Sequence, residues 1–350
     1  MKLLWDMRLF SFGYATRGVG VYTTSVALNF LRENRNIEII IWGDKNFIPK
    51  EIIEYASKII PYKPSNWKLD FVKIPYLIIR YNIEIIHYWI SLGPIRISMG
   101  PNLSCKIIAT VYDLSIENWN EIPTTAALKK SLYWKFQKRL LNNSNTIITI
   151  SEATANNLKK LNINKNISIK TIYPPLPKSS KSLIKNRKNN FVTLGGAENK
   201  NLSSVIESFT LFSKTNLNYT LTIYGTVLEK ELPNILPKNI FIKPYKYYKE
   251  DLFTAIAFIS LSTHEGLGLP VIEAMSCSTP LILSTIPSYY EIANGSAIFC
   301  NSIDIKQVTL AFDEIISKNN YWIEKSLEAY TKYQSFSNLS NKIWDEIYSN

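Results

Sequence analysis

Short apolar runs recur along the chain with enough residues between them for a helix. Leu3–Trp5 opens the series, and Ile37–Trp42 (IEIIIW), Ile83–His87, Lys106–Val111 and Thr146–Ile150 continue it. Runs this continuous, without polar alternation, belong to parallel strands buried on both faces. After the first comes a polar loop holding Arg17, Gly18 and Gly20, then Tyr22–Leu31, where Tyr22, Val26, Leu28 and Phe30 predict a helix. The last run leads into Ser151–Glu152, a hydroxyl followed by an acid, which favours a helix start. Strands alternating with helices predict β-α-β units and a parallel sheet.

The texture changes at Tyr173. IYPPLPKSSKSLIKNRKNN combines three prolines with a polar, basic run and reads as a linker over residues 173–190. The alternation then restarts, with a strand at Phe191–Leu194, a helix at Leu202–Phe212 and a strand at Tyr219–Tyr224. A helical turn after Asp251, the strand Ala257–Leu261, a helix from Pro270 and the strand Leu281–Ser284 complete it. The prediction is an α/β protein of two Rossmann-like domains, 1–172 and 191–335, with their sheets facing a central cleft. In 336–350, Phe336, Leu339, Ile343, Trp344 and Ile347 fall near one face of a helix expected to pack back on the first domain.

A length of 350 residues suits two domains, and 46% hydrophobic with 19% charged residues excludes wholesale disorder. Three scattered cysteines argue against a disulfide framework or cysteine zinc site, and two histidines exclude a histidine-rich metal site. Asp6 and Arg8 interrupt what a signal peptide needs as an apolar core. The best membrane-span candidate, IPYLIIRYNIEIIHYWI, is broken by Arg80, Asn82 and Glu84. A soluble protein of a reducing compartment is expected. Forty Lys and Arg against 28 Asp and Glu give +12. That balance fits nucleic acid, an anionic membrane or phosphate-bearing substrates, or merely a genome rich in Lys, Asn and Ile codons. The clusters are Lys129–Lys130, Lys135–Lys138–Arg139 and Lys178 to Lys188, and no nucleic-acid module signature accompanies them. Trp119 and Trp134, among Tyr and Lys, are either core residues or a membrane- or acceptor-facing surface.

The segment STHEGLGLPVIEAM, residues 262–275, carries the most chemistry. A strand ends, a loop with two glycines follows, and Pro270 stands where a first helical residue belongs. Amides of Gly266, Leu267 and Gly268 then point outward beside a helix N-terminus, a place for phosphate or sugar hydroxyls. Glu265 lies on the loop and Glu273 in the first turn. Carboxylates accept paired hydrogen bonds from vicinal hydroxyls of a ribose or hexose, although Glu273 equally suits the helix dipole.

The pattern of two glutamates separated by seven residues, in EGLGLPVIEA, resembles the retaining glycosyltransferases of family four, which have the GT-B fold. DMRLFSFGYATRGVGVYTTSVALNFL resembles that family's glycine loop and first helix. ITISEATANNL, LGGAENKNLSSVIESF and PSYYEIANGSAIF are similar to three further segments, in order along the chain. The resemblance implies that Glu273 binds ribose hydroxyls of a nucleoside diphosphate sugar, GDP- or UDP-linked. Glu265 then holds the transferred sugar, with amides from Gly266 to Leu269 around it. Lys200 neutralises the departing diphosphate, and Gly18, Gly20 and Gly196 let loops approach it. Tyr245 stands where the backbone meets the base. Glu265, Lys200 and Asp113 are the catalytic candidates, Asp113 by its place after a buried strand in the ligand-facing region, where a helix-capping role is the alternative.

Two departures from the family pattern stand out. Asn199, a donor-binding candidate, replaces the arginine beside Lys200, leaving Arg17 or Lys243 as substitute cations, and Tyr112, still able to hydrogen-bond the donor sugar, replaces the histidine before Asp113 that reaches it. His264 is either a second sugar contact or a packing residue. The implied activity is metal-free, retaining hexosyl transfer onto a surface polysaccharide or lipid-linked oligosaccharide, in the cytoplasm or on the inner face of the plasma membrane. The opening Asp-x-Arg segment and glycine loop resemble those of the family's mannosyltransferases, and that resemblance implies mannose. The alternative is a non-catalytic sugar-nucleotide binder or partner subunit.

Overall fold

The computed structural model describes residues 1–15, 17–33, 37–62, 70–89, 105–114, 137–161, 163–164, 166–175 and 187–348. Trp119, Trp134, Lys129, Lys130, Lys135 and linker residues 176–186, with Lys178 among them, lie outside these. The chain divides into Met1–Pro175 with Phe336–Asn350, and Leu176–Ser335.

In the first unit, β1 (Lys2–Asp6), β2 (Glu38–Gly43), β3 (Lys58–Pro61), β4 (Ile85–Tyr88), β5 (Lys106–Val111), β6 (Thr146–Thr149) and β7 (Ser168–Thr171) form one sheet. Its order is β3-β2-β1-β4-β5-β6-β7, parallel throughout. β2 shows the cause: in EIIIWG every residue after Glu38 is buried, so both faces are covered. The membrane-span candidate resolves into two elements. Helix Asp70–Tyr81 ends at Asn82, whose φ of +50° reverses the chain into β4. Ser151 caps Glu152–Lys160, its Oγ accepting from Thr154 N–H at 3.0 Å.

The predicted C-terminal helix is the end of a longer one, Asn319–Tyr348. Its last turns belong to the first unit. There Trp344 and Tyr348 lie 5.3 and 4.9 Å from Phe30, and Tyr348 OH is 2.6 Å from His87 Nδ1. His87 Nε2 meets Thr110 Oγ1 at 2.8 Å. Burial without a counter-charge pulls the His87 pKa down to about 3, so the ring is neutral.

In the second unit, β8 (Lys188–Leu194), β9 (Thr220–Tyr224), β10 (Ile240–Lys243), β11 (Ala255–Ser260), β12 (Leu281–Ser284) and β13 (Ile298–Cys300) run parallel, ordered β10-β9-β8-β11-β12-β13. Phe191, Phe209, Phe212 and Phe312 interlock in its core at centroid distances of 4.8 to 6.1 Å, joining β8 to helices Leu202–Phe212 and Ile305–Ser317. Arg187, at the mouth of β8, has no carboxylate partner among the described residues. Its guanidinium instead donates to Ala255 O (2.8 Å), Cys277 O (3.0 Å) and Ser278 O (2.8 Å). The last two sit at the C-terminus of helix Leu269–Ser276, where a cation complements the dipole. Burial lowers the Arg187 pKa to about 10.

Candidate functional site

The strand order of the second unit reverses between β8 and β11, and in open parallel sheets ligands bind beyond the C-terminal ends of such strands. The two loops that leave those ends carry most of the predicted residues. One runs from Gly195 through Gly196 into the turn Glu198–Lys200, and the other is Leu261–Gly268. They are stapled together. Thr263 N–H donates to Asn199 O at 2.8 Å, and Asn199 Nδ2 to His264 O at 3.0 Å. Asn199 therefore joins two loops instead of supplying the missing cation. His264 is exposed and lends its carbonyl to this staple, its ring Nδ1 lying 3.3 Å from Thr263 Oγ1.

The staple brings Lys200 Nζ to 2.6 Å from Glu265 Oε1, with the two side chains 19% and 16% exposed. Ser262 Oγ donates to the same Oε1 at 2.9 Å. Behind it, Tyr289 OH lies 2.6 Å from Ser260 Oγ and 3.2 Å from Ser262 Oγ. Both protein donors meet one carboxylate oxygen. Glu265 Oε2 has no hydrogen bond among the described residues, so it is the oxygen with accepting capacity to offer.

Helix Leu269–Ser276 begins one residue earlier than expected, so Pro270 is its second residue and Glu273 its fifth. This corrects the placement of Glu273 in the first turn and weakens the helix-dipole account of it. Gly268, at φ +97°, caps the helix, and a Cβ there would lie 2.6 Å from the Tyr289 ring, so no other residue fits. Among the described residues no protein acceptor meets the amides of Leu267, Gly268 and Leu269. Such amides at a helix start suit an anion.

The Glu273 carboxylate likewise has no hydrogen bond or ion pair among the described residues. Burial raises its pKa, opposed by Lys249. A half-buried carboxylate without a protein partner costs stability unless a ligand satisfies it. Tyr245 feels its field, which adds to burial in pushing that phenol up to about 12. The Tyr245 ring stacks on buried Tyr248 at 5.5 Å and stays 49% exposed, a flat apolar face beside Glu273. Lys243, named as a substitute phosphate cation, is instead 2.9 Å from Asp251 Oδ2, which also accepts from Tyr224 OH.

The remaining predicted residues belong to the first unit. Gly18 and Gly20 sit within helix Gly18–Glu33 and not on a loop. A Cβ on Gly20 would lie 2.1 Å from Tyr14 O, so this glycine admits the preceding loop against the helix. Tyr112 is buried. Its hydroxyl donates to Trp89 O and lies 2.6 Å from Thr23 Oγ1, while its ring packs edge-on against Tyr22. Its hydrogen-bonding capacity is consumed inside the unit, which corrects the expectation of a sugar contact. Asp113 is partly buried beside Tyr14, and Arg17 stacks over the Tyr14 ring at 5.6 Å. Asp6 and Arg8 bind each other.

Ser262 and Tyr289 contribute to the site and are not singled out by the sequence. Ser262 lies inside the glutamate motif, but its role depends on which way its hydroxyl turns.

Two parallel α/β units, the second with an anion-suited helix start and a lysine–glutamate pair at its strand switch, have the architecture of the GT-B fold. Residues 16–177 match the family described as Glycosyltransferase Family 4, and residues 177–334 match Glycosyl transferases group 1. The chain belongs to this family of glycosyltransferases. It is 24% identical over 329 residues to the O-antigen chain mannosyltransferase RfbU of Salmonella typhimurium, covering 87% of this chain and 91% of that one. Its fold matches Anabaena Alr3699/HepE in complex with UDP and glucose, with a TM-score of 0.72, 13% identity and 99% of both chains covered. It also matches WaaG, a glycosyltransferase involved in lipopolysaccharide biosynthesis, with a TM-score of 0.72, 12% identity and both chains covered in full.

Proposed function

We propose that the protein moves a hexose, mannose in the first instance, from a nucleoside diphosphate sugar onto a growing surface polysaccharide or lipid-linked oligosaccharide. The single observation that carries the donor reading is Glu273, a half-buried carboxylate without a protein partner, one helical turn beyond amides that also lack one. A ribose at Glu273, a diphosphate at the amides and Lys200, and a sugar at Glu265 Oε2 supply each with its complement. The mannose reading rests on the O-antigen mannosyltransferase relative, because Asp6 and Arg8 face each other and not a ligand.

In the reaction, the bond between the anomeric carbon and the diphosphate oxygen breaks as the acceptor oxygen bonds to that carbon from the same face. The acceptor proton passes to the diphosphate, and the configuration is retained. Lys200 and the amides stabilise the charge that builds on the leaving diphosphate, so no metal is required. The acceptor reading places the enzyme in the cytoplasm, at the inner face of the plasma membrane. Among the described residues no helix is long and apolar enough to cross a membrane.

A thermal-shift panel of UDP, GDP, ADP and their common sugars tests the donor class. The true ligand at a hundred times its dissociation constant adds about 2.7 kcal/mol, a shift of several degrees. NMR of the product's anomeric centre, with and without EDTA, tests retention and metal independence. An inverted product or a chelator-sensitive rate sinks the corresponding part of the reading.

A further inference from the structure

Tyr289 lies in helix Pro287–Ala293, outside both loops of the site, and is 1% exposed. Its side chain nonetheless touches both halves of that site. The ring stands where a side chain on Gly268 would be, beneath the start of helix Leu269–Ser276. The hydroxyl reaches Ser260 at 2.6 Å and Ser262 at 3.2 Å.

Counting hydrogens fixes where this chain ends. Ionised Glu265 only accepts, so the single hydrogen of Ser262 Oγ goes to Oε1. Tyr289 O–H then passes its hydrogen bond to Ser262 Oγ, directly at 3.2 Å or through Ser260, whose Oγ lies 2.6 Å from Tyr289 OH and 3.3 Å from Ser262 Oγ. Every hydroxyl points its proton toward Glu265, and Lys200 donates to the same oxygen. Ser284 cannot reverse the order, because its hydroxyl donates to Ser262 O at 2.5 Å. The chain holds Oε1 and leaves Oε2 as an acceptor for a sugar hydroxyl. Burial and the negative field of Glu265 both raise the Tyr289 pKa, which keeps that proton in place.

We propose that Tyr289 is a positioning residue of the donor site: its ring sets the amide half at Leu267–Leu269, its hydroxyl orients the carboxylate half at Glu265, and one rigid side chain fixes their separation. This rests on the donor reading above. It predicts a split between nucleotide and sugar recognition that a purely structural tyrosine does not produce. Tyr289→Phe keeps the ring and removes the hydroxyl, whereas Tyr289→Leu removes both.

The experiment is calorimetric titration of the full-length protein with GDP against GDP-mannose and UDP against UDP-glucose. For the pair that binds wild type, Tyr289→Phe is expected to hold nucleoside diphosphate affinity within about twofold and to weaken the sugar nucleotide about tenfold, the loss of one hydrogen bond to a charged group. Tyr289→Leu weakens both. On a Ser262→Ala background the chain is already broken, so adding Tyr289→Phe costs less than twofold. Equal weakening of both ligands in Tyr289→Phe, wild-type affinity for both, or full additivity with Ser262→Ala overturns the proposal. Should Tyr289→Leu fail to fold, the Tyr289→Phe and Ser262→Ala cycle decides alone. Failure of the wild type to bind either sugar nucleotide overturns the donor reading itself, a result seen before any variant is made.

Discussion

Two ion pairs stand beyond sheet C-terminal ends, one in each unit, and their exposure separates architecture from chemistry. Asp6 and Arg8 meet in a bidentate pair, Nε to Oδ1 at 2.7 Å and Nη2 to Oδ2 at 2.6 Å, with side chains 1–2% exposed. The guanidinium is further covered by the Trp42 ring at 3.9 Å. Such a pair is sealed, and it fixes the chain where β1 passes into the turn Arg8–Phe12. Lys200 and Glu265 meet through one oxygen, remain open to solvent, and leave the other oxygen for a ligand. A charge pair acts on substrate only when some of its coordination is left over.

The sharpest test of that contrast is Asp6→Ala, which leaves a buried guanidinium without its carboxylate. Urea unfolding is expected to show a loss of about 3–5 kcal/mol. A loss below about 1 kcal/mol would break the comparison, because it is what an exposed pair gives. Glu265→Gln and Lys200→Ala should show the opposite profile. Turnover is expected to fall about 10²–10³-fold, the effect of removing one transition-state charge contact, while stability moves by no more than about 1 kcal/mol.

The buried His87 supplies a pH test of the sealed unit. Unfolded, it binds a proton below about pH 6.5; folded, not until about 3. Its contribution to stability is therefore complete above about pH 6.5 and is lost as pH falls toward 3, with a slope of at most about 1.4 kcal/mol per unit. His87→Gln should flatten that slope in acid melting curves, and an unchanged slope counts against a neutral ring.

Glu273 gives the smallest stability effect and the opposite sign. Its folded pKa is raised, so its favourable contribution exists below the unfolded value and is gone once pH exceeds the folded one. At neutral pH, Glu273→Gln should melt at the same temperature or higher, yet lose the stabilisation given by a nucleotide. A lower melting temperature would mean the carboxylate has a protein partner after all.

The strands that sequence pattern missed have one thing in common. β3, β7, β10 and β13 are the four edges of the two sheets. An edge strand is covered less completely, so KIIP, SIKT, IFIK and IFC carry no long apolar run to recognise. Every interior strand was legible within a few residues, because two-sided burial demands Ile, Val and Leu in succession. The helices Asp70–Tyr81 and Ile305–Ser317 went unread, the first because Pro75 lies within it.

The sequence by itself determined the alternation of strands and helices, the twofold division, and the presence of a glycine-rich loop flanked by Glu265 and Glu273. These depend on local periodicity and on residue types with few alternatives, such as glycine at positive φ. Only the tertiary structure decided which polar groups have spare capacity. Tyr112 and Glu273 both read as ligand contacts. The tyrosine proves to be consumed by Thr23 and Trp89, distant in sequence, while the glutamate is left unpartnered among the described residues. A side chain's leftover hydrogen bonds are set by neighbours that folding brings from elsewhere in the chain, and no local pattern encodes them.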